Sequence, residues 1–138
     1  MSLVSVLIPA RAERYLARMI DDLLEKAAGE VEIIAVIDGP TPYPLPAERP
    51  NVRIVQLPEP LGMRHGINLA AGAARGKYIM KIDGHCLISA GYDVVLQACE
   101  DDWVVIGRRN ELDAERWAIS DATPCDDWYM SNPWTSGQ

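Results

Sequence analysis

The sequence predicts an α/β fold with a mostly parallel sheet, and three observations support this prediction. Short apolar segments rich in β-branched residues alternate along the chain with segments of helical periodicity. The first two apolar segments are almost continuous, which is typical of strands buried on both faces of a sheet. The chain has 138 residues, 49% of them hydrophobic, which suffices for one domain with a core. Alternating strands and helices imply parallel strands joined by right-handed crossovers.

Five segments have the composition expected of strands. They are 3–8, 31–37, 52–57, 77–82 and 103–107. We expect Pro9 to end the first strand, because proline has no N–H to donate to a neighbouring strand. Residues 39–51 are dense in proline and are predicted to form a loop.

Three segments are predicted to be helical, and they are 13–28, 63–75 and 90–100. In the first, apolar residues recur at helical spacing while charged side chains lie largely on the other side. Gly29 follows it and is the expected C-cap. In the second, small alanine and glycine residues would allow the helix to pack closely against the sheet.

Residues 108–138 differ in character from the rest of the chain. This segment is polar and contains three tryptophans: Trp117, Trp128 and Trp134. A short helix is expected around 113–118. We therefore divide the chain into a core of residues 1–107 and an extension of residues 108–138.

Composition excludes several classes of protein. The net charge of −7 argues against general nucleic-acid binding, which usually needs a basic surface. No apolar run approaches the roughly 20 residues of a membrane span, and the N-terminus lacks the basic start of a signal peptide. The three cysteines show no CxxC spacing, which disfavours a zinc site or a disulfide framework. We therefore expect a cytoplasmic protein without a transmembrane segment.

Polar residues follow the predicted strands at one edge of the sheet. Arg11 and Glu13 follow the first strand, Asp38 follows the second, and Asp83 and His85 follow the fourth. Ligands of parallel sheets bind beyond the carboxyl ends of the strands. This clustering predicts a binding site at that edge.

The stretch Asp83-Gly84-His85 has the chemistry of a metal site for Mn²⁺ or Mg²⁺. A carboxylate is a hard ligand, and an imidazole suits borderline metals such as Mn²⁺. Glycine between them would allow a diphosphate to approach closely. The alternative is a polar turn after a strand. Asp38 is likewise either an acceptor for a nucleobase edge or a turn residue.

A second group of polar residues lies where a turn leads into the second helix. It comprises Gly62, Arg64, His65 and Asn68. Helix N-termini favour anions, and Arg and His add donors. The alternative is a glycine turn followed by exposed polar side chains. The sequence contains neither GxGxxG nor GxxxxGK[ST], so the dinucleotide-fold and P-loop hypotheses fail.

The order of these motifs resembles that of the family 2 glycosyltransferases, which have the GT-A (Rossmann-like) fold. The motifs are "VSVLIPARAE", "VEIIAVIDGPT" and "VRIVQLPEPLGMRHGINLAAGAARGKYIMKIDGHC". The family has a P-x-x-N-E-like first turn, an acidic turn after the second strand, a G…N helix, a G-x-Y strand and a D-x-D motif. The resemblance covers roughly residues 4–107.

Individual positions match these motifs. Pro9 and Glu13 match the first turn, and Ala12 stands where the family usually has Asn. Asp38 matches the second position of an Asp-Asp pair associated with the nucleobase. The G…N and D-x-D positions are matched by Gly62, Asn68, Asp83 and His85. With His in the last position, "DGHC" is similar to the D-x-H form of the polypeptide N-acetylgalactosaminyltransferases, a related GT-A group.

The resemblance implies a metal-dependent transferase that moves a sugar from a nucleotide-diphosphate sugar, a UDP- or GDP-sugar, to an acceptor hydroxyl that the sequence does not identify. Asp83 and His85 would hold Mn²⁺ or Mg²⁺. The donor site would comprise Pro9, Arg11, Glu13, Asp38, Gly62, Arg64, His65, Asn68 and Asp83. No general base is assigned, and the nearest carboxylates, Asp126 and Asp127, match no base motif of the family.

Two alternatives remain beside this hypothesis. GT-A domains are usually longer, and their second half supplies the acceptor site. The chain would then be a truncated GT-A fragment, a non-catalytic module that binds a nucleotide sugar or a partner, with 108–138 as the start of the acceptor half. A nucleotidyltransferase is disfavoured because "PARAER" is not a Gly-rich loop. Homo-oligomer formation through an exposed sheet edge is left open.

Overall fold

The computed structural model describes residues 2–121 and 124–125 of the chain. Its main sheet has four strands: β1 Val4–Ala10, β2 Val31–Ile37, β3 Val52–Gln56 and β4 Tyr78–Lys81. The helices are α1 Leu16–Lys26, α2 Met63–Ala73 and α3 Tyr92–Val95. Two short strands follow, β5 Leu112–Asp113 and β6 Ala118–Ile119. None of the helices in the described residues has the length and apolar character needed to cross a bilayer.

The four main strands are all parallel and lie in the order β3-β2-β1-β4. Every residue of β1 and β2 is buried, which confirms the prediction from their continuous apolar sequences. The connections between them carry α1 and α2. The α/β prediction with a parallel sheet is therefore confirmed.

Pro9 does not end β1, which continues to Ala10, so that prediction is wrong. The carbonyl of Leu7 accepts a hydrogen bond from the N–H of Ile82 at 3.1 Å, so it faces β4. Backbone groups alternate along a strand, so the nitrogen of Pro9 faces the same side. Pairing with β4 ends at Leu7, where the next donor on that side would be the N–H that Pro9 lacks, whereas pairing with β2 continues to Ala10.

Helix α1 packs with its predicted apolar face, and helix α2 packs closely on the sheet as predicted. Helix α1 buries Leu16, Met19, Ile20 and Leu23, the spacing expected of one helix face. Helix α2 packs on the sheet through Gly66 and Ala70. A Cβ atom at Gly66 would lie 3.4 Å from Cγ1 of Val36, so small residues do allow close packing of this helix.

A buried polar network fixes the edge of the sheet where β1 and β2 begin. Oε1 of Glu32 accepts hydrogen bonds from Oγ of Ser5 and the backbone N–H of Arg75, both at 2.6 Å. The Arg75 side chain donates to Oε2 at 2.9 Å, and the N–H of Gly76 donates to the Ser5 hydroxyl at 2.8 Å. Burial tends to raise the pKa of Glu32, but the hydrogen bonds from Ser5 and Arg75 lower it overall. The network ties the α2–β4 connection to β1 and β2.

A second buried carboxylate fixes the connection from α1 to β2. Helix α1 ends at Lys26 with Ala27 as its C-cap, so the prediction that Gly29 caps it is wrong. Asp93 is 1% exposed, and it accepts hydrogen bonds from the N–H groups of Ala28 at 2.9 Å and Gly29 at 2.7 Å. A residue far along the chain thus satisfies the donors of this turn.

The helix predicted over 90–100 is much shorter, because only Tyr92–Val95 is α-helical. Beyond it, the N–H groups of Gln97 and Ala98 bond to carbonyls three residues earlier, at 3.1 and 3.2 Å. This is the tighter pattern of a 3₁₀ turn. Backbone contacts divide the chain into two compact units, Met1–Ala98 and Cys99–Gln138. The functional division at 107/108 stays a prediction.

Two predictions in the second unit are wrong. Residues 103–107 form no strand and are exposed, and the segment predicted as a helix over 113–118 is the turn between β5 and β6. Oδ1 of Asp113 accepts from the N–H groups of Glu115 at 3.2 Å and Arg116 at 3.1 Å. Such side-chain hydrogen bonds compete with helix formation. Trp128 and Trp134 lie outside the described residues.

Candidate functional site

The predicted site residues follow the carboxyl ends of β1, β2 and β4, as expected for a parallel sheet. Three short segments form this edge: residues 11–13 after β1, Asp38-Gly39 after β2, and residues 83–85 after β4. The structure brings Glu13 into contact with His85, and Arg11 into contact with the turn at Gly39. It does not bring Asp38 into hydrogen-bonding contact with the metal motif.

The turn after β1 has an unusual backbone. Ala12 has a φ of 54°, in the left-handed region that costs a residue with a Cβ about 1–2 kcal/mol. Asn tolerates this region better than Ala does. The backbone at Ala12 therefore holds a conformation that alanine does not favour.

Arg11 reaches from this turn towards β2. Gly39 has a φ of 143°, and a Cβ atom on it would lie 3.3 Å from Cγ of Arg11. The exposed Arg11 side chain therefore passes against the Gly39 backbone. Its guanidinium group adds positive charge at the carboxyl end of the sheet.

The turn at residues 83–85 packs directly on Glu13. A Cβ atom at Gly84 would lie 2.9 Å from Cγ of Glu13 and 3.2 Å from its Cβ, so only glycine fits without displacement. His85 follows, and its Nδ1 atom lies 3.0 and 3.1 Å from the two carboxylate oxygens of Glu13. The side chain of Glu13 is only 20% exposed, whereas that of His85 is 56% exposed. The imidazole is thus anchored at one nitrogen and open to solvent on its other side.

Asp83 lies on the exposed side of the same turn. Its side chain is 49% exposed, and its Oδ1 atom forms an ion pair with Nζ of Lys81. Lys81 and Asp83 are two residues apart, which places them on the same side of extended backbone. Lys81 was not predicted as a site residue, although this spacing would have identified it.

Asp38 is buried, with 4% exposure. Its Oδ1 accepts the N–H of Leu61 at 2.6 Å, and its Oδ2 accepts the N–H of Gly62 at 3.0 Å. The carboxylate therefore fixes the turn that leads into α2, where Gly62 has a φ of 92°. This geometry gives Asp38 the turn role that the sequence left open, and its predicted contact with a nucleobase stays a prediction.

The remaining predicted donors lie at the start of α2. Gly62 occupies the N-cap position of this helix, where no side chain forms a capping hydrogen bond. Arg64, His65 and Asn68 are exposed. Pro9 is buried within β1, so it shapes the edge of the site and offers no polar group to it.

Cys86 follows the turn and is partly buried. Burial, followed by the negative charge of Asp83, raises the pKa of the Cys86 thiol above its ordinary value. Because the thiolate is the nucleophilic form, the raised pKa argues against a catalytic role for this cysteine.

The profile of the family named Glycosyl transferase family 2 matches residues 5–131. The chain belongs to this family. Two solved structures of TarS from S. aureus are similar to this family 2 chain at 20% identity over 69% of its length, with TM-scores of 0.51 and 0.55. The chain spans 30% of the first, which comprises TarS residues 1–349, and 19% of the second. No curated protein matches the sequence significantly.

At this identity, the likeness to TarS shows the fold alone. The four parallel strands of this family 2 chain match a GT-A type arrangement, which confirms the predicted fold class. The family match also confirms the sequence-based resemblance to family 2 glycosyltransferases.

The D-x-H turn, Asp83-Gly84-His85, can supply only some of the ligands that a divalent cation needs. Within residues 2–121 and 124–125, no group of three or more His, Cys, Asp and Glu side chains is arranged to hold a metal. Asp83 and His85 supply one carboxylate and one imidazole. Cations bound with nucleotides commonly take one or two protein ligands and complete their coordination with phosphate oxygens and water. The donor set therefore fits a cation that binds together with a diphosphate.

Proposed function

We propose that the chain is the donor-binding part of a metal-dependent glycosyltransferase. In this proposal it takes a sugar from a nucleotide-diphosphate sugar, with a UDP- or GDP-sugar as the donor class, for transfer to an acceptor hydroxyl. The observation that carries the proposal is the contact between the 83–85 turn and the first turn at Glu13, at the carboxyl end of the sheet. Family membership supports the reaction class.

Asp83 and His85 would hold Mn²⁺ or Mg²⁺, and the turn acts as a D-x-H motif. When bound, the cation neutralises the charge that develops on the leaving nucleoside diphosphate. Imidazole in place of a second carboxylate leaves the site with one negative charge fewer and favours Mn²⁺ over Mg²⁺. This residue choice is similar to that of the polypeptide N-acetylgalactosaminyltransferases.

The other residues of the edge orient the donor. Arg11 would supply a positive charge near the nucleoside, and Asp38, which holds the Leu61–Gly62 turn, would act as an acceptor for a nucleobase edge. The exposed donors at the start of α2, Arg64, His65 and Asn68, would bind the anionic part of the nucleotide.

A second candidate function is a non-catalytic module that binds a nucleotide sugar. The chain spans 30% and 19% of the TarS chains that it resembles. Asp126 and Asp127, the nearest carboxylates to serve as a general base, lie outside the described residues. The two candidates share the donor site and differ only in turnover with an acceptor. In either case we propose a cytoplasmic protein, and whether it forms a homo-oligomer is a separate question.

The test is a thermal-shift titration with UDP, GDP, CDP and dTDP, each with and without Mn²⁺. A ligand that binds only the folded state at 100 times its Kd stabilises it by about 2.7 kcal/mol. We expect a Mn²⁺-dependent shift with one nucleotide, and no shift in the Asp83→Asn/His85→Ala variant. Absence of a shift with every nucleotide would refute donor binding. Sugar transfer or donor hydrolysis by the chain would then separate the enzyme from the module.

A further inference from the structure

We propose that Glu13 is a positioning residue for His85, and that it fixes the imidazole tautomer and ring orientation for metal binding through Nε2. This inference rests on the proposed function, since it concerns the same metal site. It assigns to Glu13 a role different from the nucleotide contact predicted from the sequence.

The contact geometry defines which imidazole nitrogen is available. Nδ1 of His85 lies 3.0 Å from Oε1 and 3.1 Å from Oε2 of Glu13. A carboxylate can only accept, so the hydrogen on Nδ1 is donated to Glu13. A neutral imidazole carries one such hydrogen, which leaves the Nε2 lone pair for a metal. The His85 side chain is 56% exposed, so solvent and ligands reach the ring.

Backbone contacts aim the Glu13 carboxylate. The carbonyl of Glu13 accepts the N–H of Leu16 at 3.2 Å, which ties it to the start of α1. The preceding residue, Ala12, holds a left-handed φ of 54°. On the other side, a Cβ at Gly84 would lie within 2.9 Å of Glu13 Cγ, so the turn backbone itself packs along the Glu13 side chain. These contacts direct the Glu13 carboxylate at His85.

This arrangement matches a general feature of metal sites. Ligating histidines usually donate their second ring N–H to a carboxylate or carbonyl, and removal of that partner typically costs 10- to 100-fold in metal affinity. Glu13 supplies such a carboxylate partner to His85.

The first measurement is the tautomer of His85 in the metal-free chain, read by long-range ¹H–¹⁵N NMR at a pH where the ring is neutral. The chain has only two histidines, so the His65→Gln variant assigns the signals. We expect the Nδ1–H form in the wild type, partial retention in Glu13→Gln, whose carbonyl still accepts, and the Nε2–H form or a mixture in Glu13→Ala. The Nδ1–H form persisting in Glu13→Ala would overturn the inference.

The second measurement is Mn²⁺ affinity, read from paramagnetic broadening of the His85 ring signals with Mn²⁺ alone and with Mn²⁺ plus UDP. We expect Glu13→Ala to raise the Kd about 10- to 100-fold, with a smaller effect in Glu13→Gln. Glu25→Ala, on the exposed face of α1, removes the same charge and serves as the matched control. An unchanged Kd for Mn²⁺ in Glu13→Ala would overturn the inference about Glu13 but not the proposed metal site. No broadening in the wild type would overturn the proposed metal site together with it, whereas the tautomer measurement does not depend on metal.

Discussion

Gly72 and Gly76 lie four positions apart in the chain. Replacing each of them with alanine should change the free energy of unfolding in opposite directions. A Cβ at Gly76 would lie 2.6 Å from Oγ of Ser5, 2.7 Å from its backbone N and 2.8 Å from the carbonyl O of Leu3. Two of these atoms belong to the backbone of the central strand and its lead-in, so no side-chain rotation relieves the overlap. Gly72 lies in α2, and a Cβ there would meet nothing within 4 Å.

The magnitudes follow from these contacts. Overpacking a side chain costs about 1–3 kcal/mol of stability. The N–H of Gly76 donates to the Ser5 hydroxyl at 2.8 Å, and losing this hydrogen bond would leave buried polar groups unpaired, which costs about 1–3 kcal/mol more. We therefore expect Gly76→Ala to lower the free energy of unfolding by about 3 kcal/mol. Gly72→Ala should raise it by about 0.5–1 kcal/mol, because alanine is the better helix former.

The assay is urea unfolding followed by far-ultraviolet circular dichroism. All four tryptophans lie beyond residue 98, so tryptophan fluorescence would not report directly on the unit that contains the sheet. Gly72→Ala controls for the general effect of replacing glycine in the unfolded chain. A Gly76→Ala variant within about 0.5 kcal/mol of the wild type, less than the smallest overpacking cost, would refute the close approach of residue 76 to β1.

Three further predictions concern single side chains. Ala12→Gly should stabilise the chain by about 1 kcal/mol in urea unfolding, because it removes the cost of a left-handed φ, whereas Ala12→Val should destabilise it; equal stability of both variants would contradict the strained backbone. Burial tends to raise the pKa of Glu32, but hydrogen bonds lower it overall from 4.5. The ionised Glu32 carboxylate therefore contributes to stability above pH 4.5, and this contribution is lost as the pH falls through the lower pKa of the folded state. Glu32→Gln should make the free energy of unfolding depend less on pH in the acid range. An unchanged pH dependence in this variant would contradict the lowered pKa. Finally, the raised pKa of Cys86 should make it react with iodoacetamide at pH 8 more slowly than the exposed Cys125, as read by peptide mass spectrometry; equal rates would contradict its burial.

The sequence predicted β1, β2, α1 and α2 well because each has a long apolar pattern with a single interpretation. It failed for 103–107, where a mostly apolar run of five residues met the strand pattern but pairs with no strand among residues 2–121 and 124–125. It also failed for 113–118, where the Asp113 side chain bonds the backbone of the turn. Local patterns do not reveal whether a partner strand or a competing side-chain hydrogen bond is present.

For the candidate site, the sequence predicted the residues but not their contacts. Topology alone places Glu13, Asp38 and His85 at the carboxyl edge of the sheet. The contact between Glu13 and His85 joins residues 72 apart, and that between Asp38 and Gly62 joins residues 24 apart. Such pairings depend on how turns are oriented in three dimensions, which no local spacing encodes.

Within the unit Met1–Ala98, strand β4 pairs with β1 alone, and Ile79 on it is 55% exposed. The net charge of −7 opposes encounters between exposed surfaces of two copies, but salt screens that repulsion over about 8 Å at physiological ionic strength. Contacts between copies of the chain therefore depend on ionic strength: dilute buffer keeps the copies apart, and added salt weakens the repulsion between them.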